Sequence, residues 1–170
     1  MISAIVAVDE NWGIGYNGDL LEHIPEDLKY FKRLTENNIV IMGRKTWDSL
    51  PKKPLPNRLN MVITSQTKSS TGCDLVNGEY MKLSLDNLIF QLENNNHNYD
   101  NYFVIGGGQI YEKLLPMCDR VYVTKIFKDH ANVDTYFPNL DESDEWAPGL
   151  CSSLHSYKGL TYQFWQYDRI

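Results

Sequence analysis

Ile2 to Val8 (ISAIVAV) is an almost unbroken apolar run, the pattern of a strand buried on both faces of a mostly parallel sheet. Four more runs have strand character: Asn38 to Met42, Leu59 to Ile63, the opening of the stretch Asn101 to Tyr111, and Arg120 to Phe127. Between them the apolar positions change to helical spacing. Pro25 suits the first position of a helix running to about Asn37, with Glu26 and Asp27 in the turn that favours acids. A short helix opens at Gly43-Arg44-Lys45-Thr46-Trp47 and stops at Pro51; Ser84 caps another to about Glu93; a fourth covers Gly107 to Leu115. Leu154 to Tyr157 and Leu160 to Tyr167 alternate around Lys158-Gly159 as an antiparallel hairpin. Residues 67 to 83 read as irregular with one short strand, Asp74 to Val76, and the Asn-rich stretch from Asn94 to Asn101 as a loop without function. The expected fold is α/β, one domain over residues 1–170, with a mainly parallel central sheet, an antiparallel C-terminal hairpin and about four flanking helices.

The connections carry most of the candidate chemistry. Asn101 to Tyr111 (NYFVIGGGQIY) delivers three consecutive glycines to a helix start, which lets a backbone approach a ligand closely and leaves helix N–H groups for an anion. It is not the dinucleotide fingerprint GxGxxG, because Tyr111 stands where the last glycine belongs. Arg44, Lys45 and Thr46 open a helix where cations oppose the dipole unless an anion sits there, and Thr64-Ser65-Gln66 follow the third strand. Three strand ends thus suit a ligand with several phosphates, and the basic residues favour a 2′-phosphorylated dinucleotide. Asp27 lies on or beside the apolar stripe of its helix, four and seven residues before Phe31 and Leu34, whereas Glu26 has Tyr30 and Arg33 below it. A carboxylate there either complements the helix dipole or is buried with a raised pKa and a partner. The latter, with Phe31 beside it and Arg58 farther out, suits a flat nitrogen heterocycle carrying a remote carboxylate. Asp9 to Gly18 is a polar loop made flexible by Gly13, Gly15 and Gly18; Trp12 and Ile14 let it serve as a flap or simply as surface.

Composition narrows the partners. A net charge of −6 opposes nucleic-acid binding. Cys73, Cys118 and Cys151 are odd in number and widely spaced, and neither they nor His23, His97, His130 and His155 form a metal or nucleophile pattern, so no metal is expected. No leader and no apolar run near about 18 residues is present, so a soluble, cytoplasmic protein is expected.

The segments AIVAVDENWGIGYNGDL, IPEDLKYFK, IVIMGRKTWDSL, PLPNRLNMVITSQ, FVIGGGQIYEKLLP, VYVTKI and DTYFP, in this order, resemble the dihydrofolate reductase family over nearly the whole chain. The resemblance implies reduction of 7,8-dihydrofolate to tetrahydrofolate by NADPH, in support of one-carbon metabolism and thymidylate synthesis, in an antifolate target expected to be a monomer. Asp27 would be the catalytic acid of the pterin pocket and Thr124 its hydrogen-bond partner. Ile5 and Ile105 would offer backbone carbonyls to the ring, Leu28, Phe31 and Leu50 would wall it, and Arg58 would bind the glutamate α-carboxylate. For the cofactor the resemblance assigns Ala7, the loop Ile14, Gly15, Gly18, Asp19 and Leu20, then Gly43, Lys45, Thr46, Thr64 and Gln66. It adds Gly106, Gly107, Gly108, Gln109, Ile110 and Tyr111, with Arg44 and Ser65 on the 2′-phosphate and a cis bond at Gly106-Gly107.

Three departures stand out. Glu22 replaces a tryptophan that helps hold an active-site water, and either adds a second carboxylate near Asp27 or points to solvent. Val133 replaces a glycine before Asp-Thr, and stiffening of the loop that packs on the flap is expected. One extra residue near Pro51 breaks no motif. Two alternatives stay open: a reductase of riboflavin synthesis, and a catalytically idle nucleotide- or folate-binding module.

Overall fold

The computed structural model describes residues 1–94 and 101–170, which leaves most of the Asn-rich stretch outside the described residues. In chain order the elements are β1 (Ile2–Val8), β2 (Gly13–Tyr16), β3 (Asp19–Leu20), α1 (Pro25–Thr35), β4 (Ile39–Gly43), α2 (Arg44–Ser49) and β5 (Leu59–Ile63). There follow β6 (Cys73–Val76), β7 (Tyr80–Leu83), α3 (Leu85–Asn94), β8 (Tyr102–Gly106), α4 (Gly108–Leu114), β9 (Arg120–Ile126) and β10 (Thr135–Tyr136). The chain closes with β11 (Trp146–Cys151), β12 (His155–Tyr157) and β13 (Leu160–Arg169).

One large sheet runs β11-β13-β9-β1-β8-β4-β5-β7-β6, with β12 paired to β13. Its centre, from β9 to β7, is parallel, and both ends are antiparallel, as the α/β expectation requires. The period of two in β1 sends Ala4, Val6 and Val8 into one apolar layer and Ile5 into the other, where it meets Val40, Met42, Trp47, Val62 and Phe103. This double burial explains why β1 carries no polar alternation.

The helices begin and end where local chemistry dictates. Pro25 opens α1 behind the buried Ile24, and Asn37 in the left-handed region (φ 63°) ends the run just past it. Ser84 caps α3 by accepting the Asn87 N–H at 3.1 Å.

Three elements differ from the sequence reading. Tyr80–Leu83 is a strand, paired antiparallel to β6 across the turn at Asn77 (φ 52°) and Gly78 (φ 69°) and parallel to β5. Trp146–Cys151 is also a strand, carrying Pro148 on the sheet's edge where a missing N–H is tolerated. The supposed flexible loop and the two residues after it form a hairpin, β2 and β3, turned by Asn17 (φ 54°) and Gly18 (φ 80°) and joined by β10 into a small second sheet.

Candidate active site

Asp27 stands in the first turn of α1, half-buried, and its Oδ1 accepts the Thr124 hydroxyl at 2.6 Å. Burial raises its pKa above the ordinary carboxyl range, and the Thr124 hydrogen bond offsets only part of that rise. Thr124 itself is buried in β9, paired in register with Ala7 of β1. Two residues earlier on the same face of β1, the Ile5 carbonyl accepts the Tyr111 hydroxyl at 2.7 Å. That ring lies 3.5 Å from where a Cβ on Gly106 would fall. A continuous path therefore links the acid to the glycine turn: Asp27, Thr124, Ala7, Ile5, Tyr111, Gly106.

The apolar wall and the cation occupy the neighbouring side. Phe31 and Leu50 are half-buried and Leu28 is exposed on α1. The Arg58 guanidinium is 5.9 Å from the centre of the Phe31 ring and donates to Pro56 O at 2.9 Å and Thr35 Oγ1 at 3.1 Å. Thr35 in turn donates to Phe31 O at 2.8 Å, so Arg58 is tied to the helix that carries the acid.

On the other side, β4, β5 and β8 end next to one another, with Gly43 in register with Ile63 and Met42 with Gly106. Helices α2 and α4 start there from glycines, Gly43 and Gly107, and neither start has a side-chain cap. A Cβ on Gly43 would lie 3.8 Å from the Gly107 N and 3.0 Å from Ile110, so the two starts are in contact. Thr46 Oγ1 lies 3.4 Å from the Cβ positions of both Gly106 and Gly107, whose peptide bond is cis. Uncapped N–H groups, a hydroxyl and glycines at one place make a cradle that suits phosphate oxygens. Arg44, Lys45, Ser65 and Gln109 are exposed around it; Gln66, also exposed, is turned by its N–H onto Thr64 Oγ1 at 3.1 Å.

The flap carrying Ile14, Gly15, Gly18, Asp19 and Leu20 is anchored from below. Asp134 N–H donates to Gly15 O at 3.0 Å and its carboxylate accepts the Asn17 N–H at 2.9 Å. The hydrogen bonds from Asn17 and Thr135 lower the Asp134 pKa. Val133 packs on the flap, its Cγ1 2.8 Å from where a Cβ on Gly13 would fall, and Thr135 Cγ2 lies 2.7 Å from the Cβ position of Gly108. The loop before β10 therefore touches the flap, and β10 itself touches the glycine turn.

One reading from the sequence needs correction. Glu22 neither joins Asp27 nor points freely to solvent: its Oε1 meets Lys128 Nζ and His130 Nε2, each at 3.0 Å. Its pKa is lowered, because those contacts outweigh burial. His130, which matches no metal or nucleophile pattern, continues this contact, its other ring nitrogen lying 3.1 Å from Asp9 Oδ2. Neighbouring sequence offered no sign of a contact that spans 108 positions of the chain.

A half-buried acid beside apolar side chains, and two helix starts opened by glycines at the carboxyl ends of parallel strands, give the arrangement of an α/β ligand-binding enzyme. A dihydrofolate reductase family model matches residues 1–169. Dihydrofolate reductase of Bacillus subtilis is 41% identical over 174 residues, covering 99% of this chain and 95% of the relative. That of Drosophila melanogaster is 40% identical over 150 residues, with 82% and 80% covered, and that of Rattus norvegicus 34% over 187 residues, with 99% and 97% covered. The chain belongs to the dihydrofolate reductase family. It is an oxidoreductase of tetrahydrofolate biosynthesis that reduces 7,8-dihydrofolate with NADPH as cofactor, and neither alternative reading is favoured. Among the described residues no helix is long and apolar enough to cross a membrane.

Proposed function

We propose that Asp27 is the acid that anchors the pterin ring and, through water, promotes protonation of N5. Bound NADPH supplies a hydride to C6, so the C6–N5 double bond gains a hydride and a proton while the nicotinamide is oxidised. The supporting observation is the half-buried Asp27 carboxyl with a raised pKa, whose Oδ1 accepts the Thr124 hydroxyl. Thr124 orients the carboxyl so that its other oxygen faces the ring; Ile5 and Ile105 offer carbonyls; Leu28, Phe31 and Leu50 exclude water from the ring's faces.

A group that must carry a proton is depleted as pH rises above its pKa. Assayed from about pH 5 to pH 9, dihydrofolate-dependent NADPH oxidation by the purified protein should therefore fall toward the alkaline end as Asp27, its pKa raised by burial, loses its proton. A rate flat across that range would remove protonation from the rate and with it the role given to Asp27.

Arg58 binds the substrate's remote carboxylate. Its guanidinium is already oriented by Thr35 and Pro56, so a carboxylate meets a pre-set donor pair. Arg58→Leu should weaken dihydrofolate binding by about tenfold to a hundredfold, the worth of a charge-assisted hydrogen bond. The single-turnover hydride rate at saturating substrate should stay within about threefold, because this contact is the same in ground and transition states. Equilibrium titration beside stopped-flow separates the two quantities.

For the cofactor, Lys45 and Thr46 with Gly43 and Gly106 to Gln109 hold the pyrophosphate, and Arg44 and Ser65, flanked by Thr64 and Gln66, take the 2′-phosphate. Ala7, Ile110, Tyr111 and the flap residues Ile14, Gly15, Gly18, Asp19 and Leu20 enclose the nicotinamide half. We also read the 170 residues as one domain acting as a cytoplasmic monomer, inhibited by antifolates at the pterin pocket. The acidic balance of −6, unsuited to nucleic acid, and three free cysteines support that setting.

A further inference from the structure

Among the ionic contacts that the roles above leave unused is a chain that starts at the buried Asp9. His130, its side chain only 10% exposed, places Nδ1 3.1 Å from Asp9 Oδ2 and Nε2 3.0 Å from Glu22 Oε1. Asp9 is buried at the end of β1, and its Oδ1 accepts the N–H groups of Asn11 at 2.9 Å and Gly13 at 2.8 Å, fixing the first turn of the flap. Glu22 lies two residues before Ile24, whose carbonyl accepts the N–H groups of Asp27 and Leu28 at 3.0 and 3.1 Å. The histidine thus spans from the root of the flap to the approach of the helix carrying the acid. Lys128 reinforces the Glu22 end, while Asp129 is turned away onto Asn11 Nδ2 at 2.8 Å.

Both ring nitrogens face carboxylate oxygens. A ring with one N–H can donate to only one of them, whereas an imidazolium completes both contacts. As a source of stability alone such an arrangement is unremarkable, since buried ion pairs roughly balance their own desolvation. What it uniquely fixes is geometry: the flap root on one side and the entry to α1 on the other, joined through one rigid ring.

We propose that His130 and Glu22 are positioning residues for hydride transfer, a strut from Asp9 that holds the flap root at a set distance from Asp27. This rests on the reading of Asp27 as the pterin acid and of the flap as a wall of the cofactor site. An error of about 1 Å in the approach of reacting atoms costs up to about a hundredfold in rate, so a loosened strut is felt in the chemical step.

The test compares His130→Phe, Glu22→Leu and Glu22→Gln in the full chain. Glu22→Gln is the conservative case, because an amide can hydrogen-bond to either protonation form of the ring. In His130→Phe and Glu22→Leu, amide hydrogen exchange at Asn11 and Gly13 should speed up by about tenfold, and the single-turnover hydride rate should fall by about tenfold or more. Separately titrated affinities for NADPH and dihydrofolate should move less than about threefold, and Glu22→Gln should restore the hydride rate to within about threefold of the parent. Unchanged hydride transfer in folded His130→Phe and Glu22→Leu would overturn the proposal. So would an equal loss in all three variants in step with melting temperature, the mark of a merely structural contact. If His130→Phe does not fold, the two Glu22 variants decide the matter alone. Failure of the underlying reading looks different: Asp27→Asn would then keep its turnover whatever the strut variants do.

Discussion

Asp27→Asn should lose about a hundredfold or more of its dihydrofolate turnover near neutral pH, the usual worth of a positioned general acid, while becoming more stable. The two effects share one cause. Burial raises the pKa of Asp27 in the folded protein above its unfolded value of about 3.9, so the native state binds that proton more tightly than the unfolded chain does. The resulting stabilisation is complete below the unfolded pKa and is lost as pH rises through the folded pKa. At neutral pH the parent therefore bears the desolvation of a charged carboxylate that asparagine lacks. The Thr124 hydroxyl can still donate to the Asn Oδ1, so the local geometry persists. Denaturant midpoints should favour the variant at pH 7, with the gap closing toward about pH 4. NADPH affinity should be unchanged, since the cradle lies at the other end of the path through Ile5 and Tyr111. Turnover equal to the parent's would defeat the assignment of Asp27; turnover lost together with stability would instead indicate a packing role.

What the sequence made legible follows from how local each signal is. The apolar run Ile2–Val8, Pro25 at a helix start and the glycines before α4 act through neighbouring residues, and each element formed where expected within a residue or two. The side on which Asp27 lies was open to the 3.6-residue period, because Phe31 and Leu34 share its helix. Tyr80–Leu83 was legible in principle, since Asn77-Gly78 turns β6 antiparallel onto it, but its lysine and the polar stretch before it hid a strand that β5 also pairs. The flap hairpin was legible in principle: Asn17-Gly18 is the strongest short hairpin signal, yet the surrounding glycines were read as flexibility. Pro148 and Gly149 similarly masked β11, where edge position removes the usual objection to proline. The fate of Glu22 was out of reach, because His130 arrives from a loop more than a hundred positions away. Val133 was placed correctly on the flap, and contact with Gly13 gives that placement a physical form.

Gly106→Ala should damage cofactor binding most among single changes in the phosphate cradle, and for a reason distinct from lack of room. Gly106 has φ +130°, a region essentially closed to residues with a side chain and costing them about 1–3 kcal/mol. A Cβ there would meet Thr46 Oγ1 at 3.4 Å and the Tyr111 ring at 3.5 Å, ordinary contact distances, so the penalty lies in the backbone. Gly107 supplies the control. Its φ of −86° is open to any residue, and its Cβ would meet only Thr46 Oγ1, also at 3.4 Å. In Gly106→Ala the melting temperature should fall by about 2–4 °C for each kcal/mol of strain, and NADPH affinity by about tenfold or more as the turn relaxes away from the starts of α2 and α4. In Gly107→Ala the melting temperature should hold within about 2 °C while NADPH affinity still falls, because the methyl group occupies space that a close-lying phosphate requires. Calorimetry of the ligand-free proteins and fluorescence titration with NADPH provide the two readouts. Full affinity in Gly107→Ala would move the pyrophosphate out of the glycine cradle and onto the Arg44-Lys45-Thr46 side of the site.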